Sequence, residues 1–317
     1  MLVLATVALA LGTAACGGDD DGGGGGGLGP EAADVDLAGD SYTVGSKEFT
    51  EQLILGQMTI QLLEAAGADV TDQTGLEGSV AARRALETGE IDMYWEYTGT
   101  AWLTYLGNDD PITDPQRQYD EVVAADTGNE IEWLEPAPFD NTYAIAVRED
   151  AGDPVDGVET LSDLAALVES DPDQATFCVG QEFASREDGL PGMADAYGME
   201  IPSENVSNVG DAVVYNQVGS GDQCNFGSVF ATDGKIAPNN LRVLEDDERF
   251  FAVYNPALNV RAEVLDATPE LADLIDPLAA SLETETMQEL NTAVDEAGEL
   301  PADVARDYLV DNGFVEG

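Results

Sequence analysis

The residues that could do chemistry are defined first by an absence, because the 317-residue chain contains no histidine. Without imidazole there is no Ser-His-Asp or Cys-His arrangement to activate a nucleophile, and zinc sites built on His nitrogen are excluded. What remains is 64 acidic side chains, three cysteines and 11 basic residues, of which Lys47 and Lys235 are the lysines and the rest are Arg. Carboxylates cluster at Asp19-Asp20-Asp21, Asp109-Asp110 and Asp246-Asp247-Glu248, but none of these runs has the alternating ligand spacing of a calcium loop. No motif sets two carboxylates together for glycosidic acid/base work. These residues therefore nominate no catalytic residue, no metal ligand and no cofactor.

The net charge of -53 would repel a phosphate backbone rather than neutralise it, which excludes nucleic acid as a partner. An acidic, lysine-poor composition is what high salt tends to select, so a halophilic or salt-tolerant source is expected; a lineage-wide compositional bias is the alternative.

Met1 to Ala15 form a small, apolar run ending at Cys16, suited to a signal segment and too short to span a bilayer. The run resembles a bacterial lipoprotein signal with Cys16 as its lipidated cysteine, although no Lys or Arg precedes it and Thr13 stands where Leu is usual. Gly- and Asp-rich residues follow, with little side chain to pack. As a coil to Ser41 they would reach about 25 to 30 Å and tether a folded body to the membrane. With Cys16 assigned to lipid, Cys178 and Cys224 remain, both in strand-like apolar settings. Export permits a disulfide between them, and a bridge is the expected state, with two buried thiols as the alternative.

The elements that must position any site alternate. Strand-like segments at Tyr42–Gly45, Ala68–Thr74 and Ile91–Tyr94 are each followed by helical spacing, over Glu51–Ala66, Ser79–Thr88 and Thr98–Leu106. A helix at Pro115–Asp126 and strands at Ile131–Leu134 and Thr142–Val147 come next. A second alternating set runs from Leu161 to about Val243; a strand-like run Phe250–Val260 and helices at Pro269–Leu282, Glu283–Ala297 and Pro301–Asn312 complete the chain. Such alternation predicts an α/β protein with helices on the faces of its sheets. Two such sets joined twice predict two lobes with two hinge crossings and a ligand cleft between them.

Several ordered segments then resemble one family. Gly45-Ser46-Lys47-Glu48-Phe49-Thr50-Glu51-Gln52, Gly75-Leu76-Glu77-Gly78-Ser79 and Gly89 to Thr100 are similar to successive motifs of the glycine betaine/choline-binding proteins of osmoprotectant ABC importers. So are Asn141-Thr142-Tyr143-Ala144, Glu182 to Gly189, Ala231 to Ile236 and Phe250 to Asn255. The resemblance implies a class II periplasmic-binding-protein fold divided as 1–16 signal, 17–40 tether, 41–142 and 253–317 first lobe, and 143–252 second lobe. It implies an aromatic cage of Tyr97, Tyr143, Phe230 and Tyr254, with Phe230 in place of the Tyr common in relatives. A trimethylammonium group has no N–H to donate, so aromatic faces recognise it, each desolvated contact contributing about 2 kcal/mol at best. Lys47, Thr100, Asn141 and Arg186 are the candidates to hold a carboxylate at the other end of the ligand, and the two cations favour a betaine over choline. The implied protein is a monomeric lipoprotein on the outer face of the cytoplasmic membrane that delivers its ligand to a permease driven by an ATPase. Choline or carnitine capture, or an enzyme on the same fold, are the competing expectations.

Overall fold

The computed structural model describes residues 27–108 and 111–317; the expected signal segment, Cys16 and the glycine run lie outside the described residues. The first body is built on β1 (Ser41–Lys47), β2 (Asp69–Leu76), β3 (Met93–Tyr97), β4 (Ile131–Trp133) and β10 (Pro256–Arg261), in the order β2-β1-β3-β10-β4. Strands β1, β2 and β3 are parallel, and β10 is antiparallel to both β3 and β4. The second sheet has β5 (Tyr143–Arg148), β6 (Phe177–Val179), β7 (Val206–Asn208), β8 (Phe226–Phe230) and β9 (Leu241–Val243), in the order β7-β6-β8-β5-β9. Here β6, β7 and β8 are parallel and β5 is antiparallel to both neighbours. Each sheet thus takes its antiparallel strand from chain arriving from the other body. That is the two-lobe α/β arrangement expected from the alternation.

Helices cover the sheets. In the first lobe they are α1 (Thr50–Ala65), α2 (Ser79–Thr88), α3 (Thr98–Thr100) running into a π-helical turn at Ala101–Tyr105, α4 (Pro115–Asp126), α9 (Ala262–Ala267), α10 (Glu270–Ser281), α11 (Thr284–Asp295) and α12 (Pro301–Asp311). The second lobe carries α5 (Leu161–Ser170), α6 (Gln181–Ser185), α7 (Leu190–Ala196) and α8 (Asp211–Ser220). Helix α1 is apolar on nearly every side because it packs between the sheet and helices α11 and α12; Ile54, Leu55, Met58, Leu62 and Leu63 are all fully buried. Two helices start where side-chain oxygens satisfy the first backbone N–H groups. Asp114 accepts from Arg117 N ahead of Pro115 in α4, and Thr160 and Asp163 form a capping box at α5.

The crossings lie side by side at residues 134–142 and 244–255. Asn255 Nδ2 donates to Phe139 O at 2.7 Å, Thr142 Oγ1 to Ala252 O at 2.9 Å, and Tyr254 N to Asp140 Oδ1 at 2.7 Å. Here the structure corrects the expected strand Phe250–Val260, since only Pro256–Arg261 is strand. The N–H groups of Phe250 and Phe251 are taken by the Asp246 carboxylate and that of Tyr254 by Asp140, so side chains replace ladder partners over the first half of the run.

A second correction concerns the tether. Residues 27–40 are held against the first lobe: Leu28 bridges Val315, Gly29 N donates to Phe314 O at 2.8 Å, and Leu37 is fully buried. Leu28, Ala32, Val35 and Leu37 supply an apolar face that a free linker would lack. Cys178 in β6 is bonded to Cys224 just before β8, with Cα atoms 5.6 Å apart.

Candidate functional site

Between the lobes opens a cleft of about 660 Å³, and all eight residues nominated from the sequence line it: Lys47, Tyr97, Thr100, Asn141, Tyr143, Arg186, Phe230 and Tyr254. They arrive from β1, the end of β3, α3, the two crossings, the start of β5, the segment after α6 and the end of β8. Tyr143 opens β5 and Phe230 closes β8, and antiparallel pairing sets them opposite each other. Cross-strand placement brings the rings into stacking contact, centroids 5.1 Å apart at 29°. The Tyr254 ring stands edge-on to Tyr143 at 6.3 Å and 74°. Three of the four expected rings therefore form one continuous wall, and Tyr143 also meets Phe183 edge-on at 5.2 Å.

Tyr254 reaches that wall because Gly99 lets it. A Cβ on Gly99 would lie 2.7 Å from the Tyr254 ring and 2.7 Å from Val253 O, so the turn after β3 must be glycine for the second crossing to approach. Tyr97 stands beside this turn and is 3% exposed. Its ring stacks on Phe49 at 6.1 Å and 26°. Phe49 itself is 40% exposed and lines the cleft, which makes it a fifth ring that the sequence reading passed over.

The two expected cations have protein partners. Lys47 Nζ, nearly fully buried, pairs with Glu96 Oε1 at 2.6 Å and lies 5.0 Å from the Tyr97 ring centroid. Glu96 also accepts from the Tyr94 and Tyr105 hydroxyls at 2.8 and 2.7 Å, so this ion pair is fully bound up behind the cage. Arg186 holds Asp188 through Nε at 2.7 Å and Nη2 at 2.5 Å, with its guanidinium 5.9 Å from the Tyr143 ring. Although burial works to raise it, the Asp188 carboxyl is held below its usual range by Arg186 and by the Tyr254 hydroxyl. Thr100 is half-buried on the first-lobe wall.

Asn141 is engaged with a residue not nominated from sequence. Its Nδ2 donates to Glu51 Oε1 at 2.9 Å, and the Tyr97 hydroxyl donates to the same oxygen at 2.7 Å. Asn291 Nδ2 of α11 reaches Glu51 Oε2 at 3.1 Å, and the same amide also donates to Thr232 O of the second lobe at 2.9 Å. Burial raises the Glu51 carboxyl above its usual range, against the opposing pull of these hydrogen bonds. Glu51 and Phe49 both fall inside the Gly45–Gln52 motif, so a signal for them was present. Asn291 had none, because a polar residue on a C-terminal helix gives no hint of a partner in α1.

Lys235, the second lysine, also lines the cleft and bridges the lobes by pairing with Asp295 of α11, whose other oxygen accepts from Thr50 Oγ1 at 2.6 Å. Glu48, Glu51, Glu77, Asp211, Asp233 and Asp295 make the cleft predominantly acidic. Among the described residues there is no cluster of potential metal ligands and no helix long and apolar enough to cross a membrane. The arrangement offers aromatic faces, buried carboxylates and two lobes to close over a small cation.

Known proteins share this architecture. A family model for the substrate binding domain of ABC-type glycine betaine transport systems matches residues 40–311. The chain is 38% identical over 282 residues to a glycine-betaine-binding protein of Pseudomonas aeruginosa, spanning 87% of this chain and 89% of that one. It is 32% identical over 287 residues to the glycine betaine-binding protein YehZ of Escherichia coli, spanning 88% and 93%. A solved structure described as a glycine betaine/carnitine/choline ABC transporter superposes with a TM-score of 0.76 at 26% identity, over 86% of this chain and 98% of that one.

Proposed function

Because the chain belongs to the family of substrate-binding domains of ABC-type glycine betaine transport systems, we propose that it captures glycine betaine or a related quaternary ammonium solute in the interlobe cleft and hands it to the importer's permease. The observation that carries this reading is the convergence of Tyr143, Phe230 and Tyr254 on one wall of the cleft, with Tyr97 beside them. The trimethylammonium lies against these faces, where several partly desolvated cation–π contacts of about 0.5 to 2 kcal/mol each approach the roughly 8 kcal/mol of a micromolar complex. Thr100 and Asn141 from the first lobe and Arg186 from the second hold the carboxylate. The mechanism is closure, in which contacts from both lobes stabilise the shut form that the permease recognises. The first lobe is taken as 41–142 and 253–317, the second as 143–252. The protein works as a monomer held by lipid at Cys16 on the outer face of the cytoplasmic membrane.

Choline is the second reading, favoured by the pairing of Lys47 with Glu96 and Arg186 with Asp188, and by a buried Asn141 Oδ1 with no hydrogen-bond partner among the described residues. A compensated cation offers less to a carboxylate, and an amide oxygen accepts from a hydroxyl. Isothermal titration separates the two: glycine betaine binding about tenfold tighter than choline, or more, is the expected result, a gap of about 1.4 kcal/mol. Equal or reversed affinities replace betaine with choline as the cargo.

A further inference from the structure

Two of the cage hydroxyls donate to carboxylates. The Tyr97 hydroxyl donates a hydrogen bond to Glu51 Oε1 at 2.7 Å, and that of Tyr254 donates one to Asp188 Oδ2 at 2.9 Å. Both acceptors are fixed in place. Glu51 is 3% exposed and gripped by Asn141 and Asn291; Asp188 is clamped by Arg186. Burial, reinforced by the neighbouring negative charge, pushes both phenols upward, so they stay protonated and act as donors.

A phenol that donates to an anion is polarised toward phenolate. Hydrogen bonds in a low-dielectric interior strengthen and polarise one another, and those to ionised acceptors do so most. The displaced electron density makes the ring face more negative, which is the property a cation–π contact reads. Asp188, kept ionised by Arg186, also sets a negative charge behind the Tyr254 ring, and Glu51, whose two oxygens accept from Tyr97, Asn141 and Asn291, presents acceptor oxygens behind the Tyr97 ring. A purely structural partner would hold the ring equally well and would serve a neutral group of the same shape as readily as a charged one.

We propose that Glu51 and Asp188 are specificity-determining residues: by accepting hydrogen bonds from the Tyr97 and Tyr254 hydroxyls they make these rings select a positively charged head group over a neutral isostere. The inference rests on the cage reading above and adds to it the source of the charge discrimination.

The test uses two ligands of one shape. Glycine betaine and 3,3-dimethylbutanoate share a carboxylate and a bulk, and differ in a quaternary nitrogen against a quaternary carbon, so the ratio of their affinities isolates the charge on the head group. Titration calorimetry at pH 8 compares the parent protein with Glu51→Gln, Asp188→Asn, Tyr97→Phe and the Glu51→Gln/Tyr97→Phe double variant. The ratio is expected to fall about fivefold in Glu51→Gln and in Asp188→Asn, and less but in the same direction in Tyr97→Phe. The double variant falls no further than Glu51→Gln alone. Should Glu51→Gln fail to fold, Tyr97→Phe and Asp188→Asn carry the test, since each leaves the ring it addresses in place. Both ligands weakening by one factor, with the ratio unchanged in every variant, overturns the proposal. A parent ratio near one overturns the cage reading itself and this proposal with it; a high parent ratio that no variant alters overturns this proposal alone.

Discussion

Asp140 sits where the two crossings touch, accepting the Tyr254 N–H at 2.7 Å, and burial raises its carboxyl to about 6. A raised carboxyl means that the folded chain keeps a proton the unfolded chain has already released. Stability contributed by that site is therefore present at low pH and falls as pH rises from the ordinary carboxylate range through about 6. Asp140→Asn retains the oxygen acceptor and removes the titration. Thermal unfolding should show the variant more stable than the parent by about 1 to 3 kcal/mol at pH 8, with the gap closing toward pH 4. A variant less stable at pH 8 would contradict this account of the hinge. The residue scale is also where the sequence was most informative about the site. Tyr97, Tyr143, Phe230 and Tyr254 were legible because each lies in a short motif whose spacing is local. Asp188, two residues on from Arg186, was legible as its ion-pair partner; the partners of Lys47 and Asn141 were not, because Glu96 and Glu51 become neighbours only through β1–β3 pairing and the packing of α1 on the crossing.

At the level of elements, helix α11 does more than its amphipathic spacing suggested. It joins the first lobe to the 231–235 loop of the second: Gln288 Nε2 donates to Ala231 O at 2.8 Å, Asn291 Nδ2 to Thr232 O at 2.9 Å and Thr292 Oγ1 to Gly234 O at 3.1 Å. The approach is so close that a Cβ on Gly234 would lie 2.4 Å from Thr292 N and 2.7 Å from Asn291 C, both backbone atoms that cannot step aside. Gly234→Ala should force the loop off α11, removing hydrogen bonds of about 1 kcal/mol each. Betaine binding measured by titration should weaken about tenfold through that loss of interlobe contact. Unchanged affinity would mean that α11 does not couple the lobes. Strand and helix existence was readable from periodicity through most of the chain, yet the strand predicted at Phe250–Val260 lost its first half to the crossing. Hydrophobic pattern records burial and not hydrogen-bond partner, so a buried irregular segment reads the same as a strand.

For the molecule as a whole, the two lobes were legible because the alternation of elements breaks twice, and what escaped was docking of residues 27–40, whose few apolar side chains are outnumbered by Gly and acid. The charge of -53 was legible by counting, and its consequence is physical. Self-repulsion across a folded surface opposes compaction and is relieved by screening, whose range shrinks from about 10 Å at 0.1 M salt to about 3 Å at 1 M. The melting temperature should rise by several degrees, on the order of 5 °C, between 0.1 and 1 M NaCl, as scanning calorimetry would record. No rise would mean that the carboxylates are compensated locally. The central claim concerns the place of the cation, and a crystal structure with bound glycine betaine addresses it most directly. The quaternary nitrogen is expected within about 6 Å of the Tyr143, Phe230 and Tyr254 ring centroids, under a closed second lobe. Density for the ligand elsewhere, or with its methyl groups turned away from those rings, would contradict the account.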